Sequence, residues 1–75
     1  MRDLVEFLAK SLVDDPDAVQ VTSEDRPQAV VIELRVSPDD MGRVIGRQGR
    51  IAKAIRTIVK AATFKEEKPY YVEIL

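Results

Sequence analysis

Between Gly42 and Gly49 the chain sets all three of its glycines among arginines and aliphatic residues, in the order Gly42-Arg43-Val44-Ile45-Gly46-Arg47-Gln48-Gly49. A short loop bounded by glycines is bare of side chains at its ends. A phosphodiester backbone can then approach the main-chain N–H groups at the start of the helix that follows. The same glycines also suit a tight turn between two helices, where the backbone angles resist a Cβ, so G-x-x-G spacing alone leaves a structural and a binding reading open. Two other phosphate loops are excluded. A Walker loop would end in Gly-Lys-Ser/Thr, and a dinucleotide fingerprint would read G-x-G-x-x-G after a strand. The interior of the loop, Arg47-Gln48, is a cation and a neutral amide, and neither repels phosphate.

Charge favours the binding reading. The 75-residue chain has a formal net charge of −1, which hides a strong polarisation. Residues 1–40 sum to −6, residues 41–65 to +7 with no Asp or Glu at all, and residues 66–75 to −2. At about 100° per residue, Ile51, Ala52, Ile55, Ile58, Val59 and Ala62 share one arc of a helix, and Arg50, Lys53, Arg56 and Lys60 the opposite one. A helix face that serves only solubility normally interleaves both signs. Here one sign runs straight into the glycine loop.

Other chemistry is scarce. The chain has no cysteine and no histidine, which removes disulfides, thiolate and imidazole chemistry and the usual zinc ligands. Asp14, Asp15 and Asp17 around Pro16 lack the spacing of a calcium loop, and Asp39 and Asp40 suit a helix N-terminus. No metal site, no cofactor and no enzymatic activity are expected. The longest uncharged apolar run, residues 29–32, is far short of the ~20 residues of a membrane span. Asp3, Glu6 and Lys10 fall where a signal peptide would need an apolar stretch, so a cytoplasmic location is expected.

The elements that must position the loop follow from periodicity. Leu4, Phe7, Leu8, Ser11 and Leu12 mark a first helix by an apolar stripe, ended by Asp14-Asp15-Pro16-Asp17. Val19 and Val21 alternate with polar residues in a short strand, and Asp25-Arg26-Pro27-Gln28 makes a turn. In the next strand Val30, Ile32, Leu34 and Val36 form one face and Val31, Glu33 and Arg35 the other, so the pair reads as a hairpin. Ser37-Pro38-Asp39-Asp40 supplies an N-cap serine, a proline at the first helical position and an acid three residues after the serine. The short helix this starts is interrupted at Gly46 and Gly49. A longer one runs from Gly49 to about Ala62, and Tyr70 to Leu75 alternates again, with Tyr70, Val72 and Ile74 facing the core. Three helices then cover one sheet face. Gln20, Thr22, Glu33, Arg35 and Glu73 face solvent on the other.

The run from Val44 through the loop to Ile55 resembles the V-I-G-x-x-G segment of a KH domain, and the element order resembles the type II variant. The likeness spans essentially the whole chain and is closest to the small bacterial KH proteins of the KhpA type. Ala52 departs from it, standing where many KH domains carry a larger aliphatic residue. The resemblance implies an α+β fold of order αββααβ, a three-stranded mixed sheet with three helices on one face, and a single KH domain over residues 1–75. It also implies single-stranded RNA binding by a loop that clamps about four nucleotides. Gly46, Arg47, Gln48 and Gly49 match the clamp. Val44, Ile45 and Ile51 would help floor an aliphatic groove, with Ile51 as well suited to the core, and Arg43, Arg50 and Lys53 would serve the phosphates. No aromatic lies between Met41 and Thr63 to stack bases, and Tyr70 and Tyr71 read as core and sheet surface. By the same resemblance the protein acts as a homodimer or with a larger KH-containing partner of the KhpB type. It would be an RNA chaperone linked to cell-wall homeostasis and cell length.

Two other functions fit parts of the sequence. Residues 49–62 could be the recognition helix of a helix-turn-helix duplex DNA binder, although the turn is very tight and strands replace the three-helix core. The basic surface could instead meet an acidic protein.

Overall fold

The alternation that begins at Val30 becomes the central strand of the molecule. A computed structural model describes residues 1–46 and 49–75. In chain order its elements are α1 (Arg2–Leu12), a single 3-10 turn (Pro16–Ala18), β1 (Gln20–Asp25), β2 (Val30–Arg35), α2 (Pro38–Ile45), α3 (Arg50–Ala62) and β3 (Tyr70–Ile74). This is the αββααβ order expected from the sequence.

β1 and β2 pair antiparallel, from Gln20 opposite Arg35 to Asp25 opposite Val30. Their turn is closed by Arg26 and Ala29, whose N–H groups donate to each other's carbonyls at 2.8 and 3.4 Å. β3 pairs with the other side of β2 and runs parallel to it, Val30 opposite Tyr70 through Leu34 opposite Ile74. Parallel neighbours need a crossover, and α2 with α3 provides it. The result is a mixed sheet of order β1-β2-β3.

All three helices lie on one face. Val5 and Ala9 of α1, Val44 of α2, and Ile55 and Val59 of α3 join Val21, Ile32, Leu34 and Val72 of the sheet in a single core. Burying each larger aliphatic contributes roughly 1.5–3 kcal/mol. Arg2 also ties α1 to β1, its Nε donating to the Val21 carbonyl at 2.7 Å.

One expectation is corrected here. The stripe of α1 is rotated from the one read in the sequence: Val5 and Ala9 are at its centre, Leu8 packs at its margin, and Phe7 is 68% exposed, with Ser11 and Leu12 also exposed. On the open face of the sheet Val31 is only 4% exposed, set in register between Glu24 and Tyr71. Gln20, Thr22, Arg35 and Glu73 are exposed there and Glu33 partly so.

Candidate nucleic-acid interface

The interface is built around the junction of α2 and α3. At the start of α2, Ser37 is the N-cap, its Oγ accepting from the Asp40 N–H at 3.2 Å and donating to an Asp40 carboxylate oxygen at 3.1 Å. Asp40, 2% exposed, also accepts from the main-chain N–H groups of Asp14 at 3.1 Å and Asp15 at 3.0 Å. The Asp14 N–H chiefly holds the Asp40 carboxyl below its ordinary range against the opposing effect of burial, helped by the Asp15 N–H, Ser37 and the charge of Arg43. The carboxylate therefore closes its own helix and pins the α1–β1 connection beside it.

At the other end of α2 the Gly46 N–H donates to the Gly42 carbonyl at 2.7 Å, and a Cβ on Gly46 would lie 2.1 Å from that same oxygen. No side chain fits without moving backbone. The Gly49 N–H then donates to the Gly46 carbonyl at 2.8 Å. Gly49 precedes α3 at φ +66°, in the left-handed region that a Cβ disfavours. Gly46 and Gly49 thus have different steric reasons, whereas a Cβ on Gly42 would meet nothing within 4 Å.

The start of α3 contrasts with that of α2. Among the described residues no side chain caps it, and its first turn holds no acid. Exposed Arg50 and Lys53 stand there instead. Further along, α3 has three sides rather than the two read from the sequence. Ala52, Ile55 and Val59 face the core. Lys53, Arg56 and Lys60 follow one flank toward β3, where Arg56 Nε donates to the Val72 carbonyl at 3.2 Å. Ile58 and Ala62 are exposed on the other flank.

The model of the KhpA/KhpB KH domain matches residues 2–74. The chain belongs to that family. It is 59% identical over 75 residues to the RNA-binding protein KhpA of Clostridium acetobutylicum, covering 100% of both chains. It is 52% identical over 75 residues to the KhpA of Aquifex aeolicus, covering 100% of this chain and 95% of that one. For the KhpA of Listeria monocytogenes the identity is 48% over 75 residues, covering 100% and 99%. No solved structure matches the chain significantly.

Within this KH domain the residues singled out from sequence are differently placed. Gly46 and Gly49 are half-buried at the junction, and Arg43, Ile45, Arg50 and Lys53 are exposed around it. Ile51 is half-buried and packs on the core. Val44 is 1% exposed and packs in the core. Arg47 and Gln48 lie outside the described residues. Arg43 forms an ion pair with Asp14, and the hydrogen bond and charge of that carboxylate raise the guanidinium pKa. Sequence reasoning missed both Asp14 and the tie that holds it there, because each depends on contacts between residues far apart in the chain. Among the described residues no helix is long and apolar enough to cross a membrane.

Proposed function

We propose that this KH domain binds single-stranded RNA, with the glycine loop and the open start of α3 holding the phosphates of about four nucleotides. The observation that carries the reading is the first turn of α3. Among the described residues no side chain caps its main-chain N–H groups, no acid stands in that turn, and Arg50 and Lys53 add positive charge. An anion relieves all of these at once. Arg43, Arg47, Gln48, Arg50 and Lys53 serve the backbone in this reading, Gly46 and Gly49 admit it, and Ile45 and Ile51 floor the groove over Val44. The names of the KhpA relatives point the same way.

Contact with so few nucleotides is weak, and a second RNA-binding surface raises affinity through effective concentration. The chain acts in this reading as a homodimer or with a larger KH-containing protein of the KhpB type, for which exposed Phe7 and Ile58 offer apolar contacts. It works as a cytoplasmic RNA chaperone that affects cell-wall homeostasis and cell length, and residues 1–75 act as one KH module.

The test replaces side chains between the glycines, since a Cβ on Gly46 would disturb the backbone itself. Arg47→Asp with Gln48→Asp is expected to abolish retention of a single-stranded oligoribonucleotide with the melting temperature unchanged. For the wild type, log K against log[salt] should have a slope of roughly −2 to −3, from three or four neutralised phosphates. A preference for duplex DNA at equal salt, or RNA retention unchanged in the folded double variant, would overturn the reading.

A further inference from the structure

The sheet face turned away from the helices carries side chains in a regular grid. The pairing registers set Glu24, Val31 and Tyr71 in one row across the three strands, and Thr22, Glu33 and Glu73 in the next. Val31 is buried at the centre, and Tyr71 beside it is 56% exposed. Glu24 and Glu73 are exposed and Glu33 is half-buried. In the second row Glu33 stands directly opposite Glu73. Like charges so placed destabilise a sheet. Among the described residues neither carboxylate has an ion-pair partner, and the Thr22 hydroxyl reaches Glu33 only at 3.5 Å, the limit of a hydrogen bond.

The first row shows the chemistry that suits this face. Arg26, in the hairpin turn, donates from its guanidinium to Glu24 at 3.1 Å, and the charges of Glu73 and Glu33 reach it from farther away. The second row holds the same acids without a cation of its own. A nucleic-acid backbone is repelled here, and among the described residues no three acids are grouped so as to hold a metal ion. A guanidinium fits on every count. Its planar fork bridges two carboxylates and its flat face stacks on an aromatic ring, whereas an ammonium offers only a point charge.

We propose that the open face of the sheet docks an arginine-rich, extended segment of a partner protein, with one guanidinium bridging Glu33 and Glu73 and stacked on Tyr71. The opposed acids are then a cost to the free domain that the partner removes. The proposal goes beyond the RNA-binding reading and does not depend on it. The basic helices lie on the other side of the sheet, so RNA and the arginine-rich segment do not compete for one surface.

An Arg-Ser repeat peptide and a Lys-Ser repeat of equal length and charge, titrated into the full chain without RNA and followed by NMR, test it. The arginine peptide is expected to shift Val31, Tyr71 and Glu73 and to bind about threefold to fivefold tighter than the lysine peptide, as one exposed guanidinium–ring contact supplies. Glu33→Gln with Glu73→Gln should melt higher than the wild type, since the opposed charges are gone, and lose about fivefold in affinity for the arginine peptide. Tyr71→Leu should abolish the preference for arginine and leave the affinity for the lysine peptide unchanged. Equal binding of the two peptides by the wild type overturns the proposal, and so does full arginine-peptide affinity in the double glutamine variant. Shifts confined to Asp14, Asp15 and Asp17 would also overturn it, placing basic segments at the α1–β1 connection instead. Shifts at Tyr71 and Glu73 that grow with protein concentration in the absence of peptide would do the same, giving the face to a second copy of the chain. Because no RNA is present, failure here and failure of the RNA-binding reading are told apart.

Discussion

The two helices that meet at the glycine loop begin in opposite ways. α2 is closed from within the protein: Ser37 caps it, Pro38 needs no hydrogen-bond partner for its nitrogen, and the Asp40 carboxylate is buried against three donors. α3 is left open, with a glycine in place of a cap and cations where acids would stabilise the dipole. An uncapped start with like charge costs stability, so the chain forgoes at α3 what it secures at α2. The comparison separates a terminus built for folding from one suited to an anion from outside.

Changes at the closed terminus should give the largest effects, on stability alone. Ser37→Ala removes the cap and costs about 1 kcal/mol, a fall of roughly 4–8 °C in melting temperature for a domain of this size. Asp40→Ala should lower it further, because the Asp14 and Asp15 N–H groups lose their acceptor as well. Both variants should bind RNA normally below their melting temperatures. Because the native Asp40 pKa is lowered, its contribution is complete above the ordinary value of 3.8 and is lost as pH falls from there through the native value. Denaturant titrations of Asp40→Asn should therefore show a flatter acid limb than those of the wild type.

At the open terminus the two properties should move in opposite directions. Arg50→Glu puts an acid in the first turn of α3, so the melting temperature should rise slightly, by about 2–4 °C. RNA affinity should fall on the order of tenfold or more, most steeply at low salt. A variant that binds RNA normally, or that melts lower, would remove the contrast between the termini.

The smallest effect concerns the place where the closed terminus reaches toward the open one. Asp40 holds the main chain at Asp14, and the Asp14 side chain pairs with Arg43. In the proposed reading that carboxylate competes with phosphate for the guanidinium. Asp14→Asn keeps the main-chain N–H bond and frees Arg43, so RNA affinity should rise by a factor of about two to three, with a steeper salt dependence. Unchanged affinity would show that the pairing with Asp14 does not compete with RNA.

What the sequence revealed was local. The period of β2, the Ser37-Pro38 helix start and the boundaries of α3 depend on neighbours in the chain, and all were legible there. The stripe of α1 was not. Val5 and Ala9 form a second apolar line beside Leu4, Phe7 and Leu8, and only the sheet beneath decides which is buried; the smaller residues take the centre. The glycine spacing could be read, but the reason for Gly46 lies in a carbonyl that approaches its Cα only once α2 has formed. The flank of α3 was misjudged for a related reason. Arg56 is drawn toward the Val72 carbonyl by a strand that follows later in the chain. Asp40 looked like a dipole acid because its partners, Asp14 and Asp15, come from a distant turn.

The crossover between β2 and β3 has a consequence for how the interface comes into being. The glycine loop lies within the segment that joins these two parallel neighbours. Closing that long excursion is among the slower steps available to a small chain. The chain reaches β3 only across α2 and α3, so in the reading proposed above the surface that holds RNA and the pairing of the last strand depend on the same crossover. In that reading a chain whose crossover has not closed has no complete clamp for RNA.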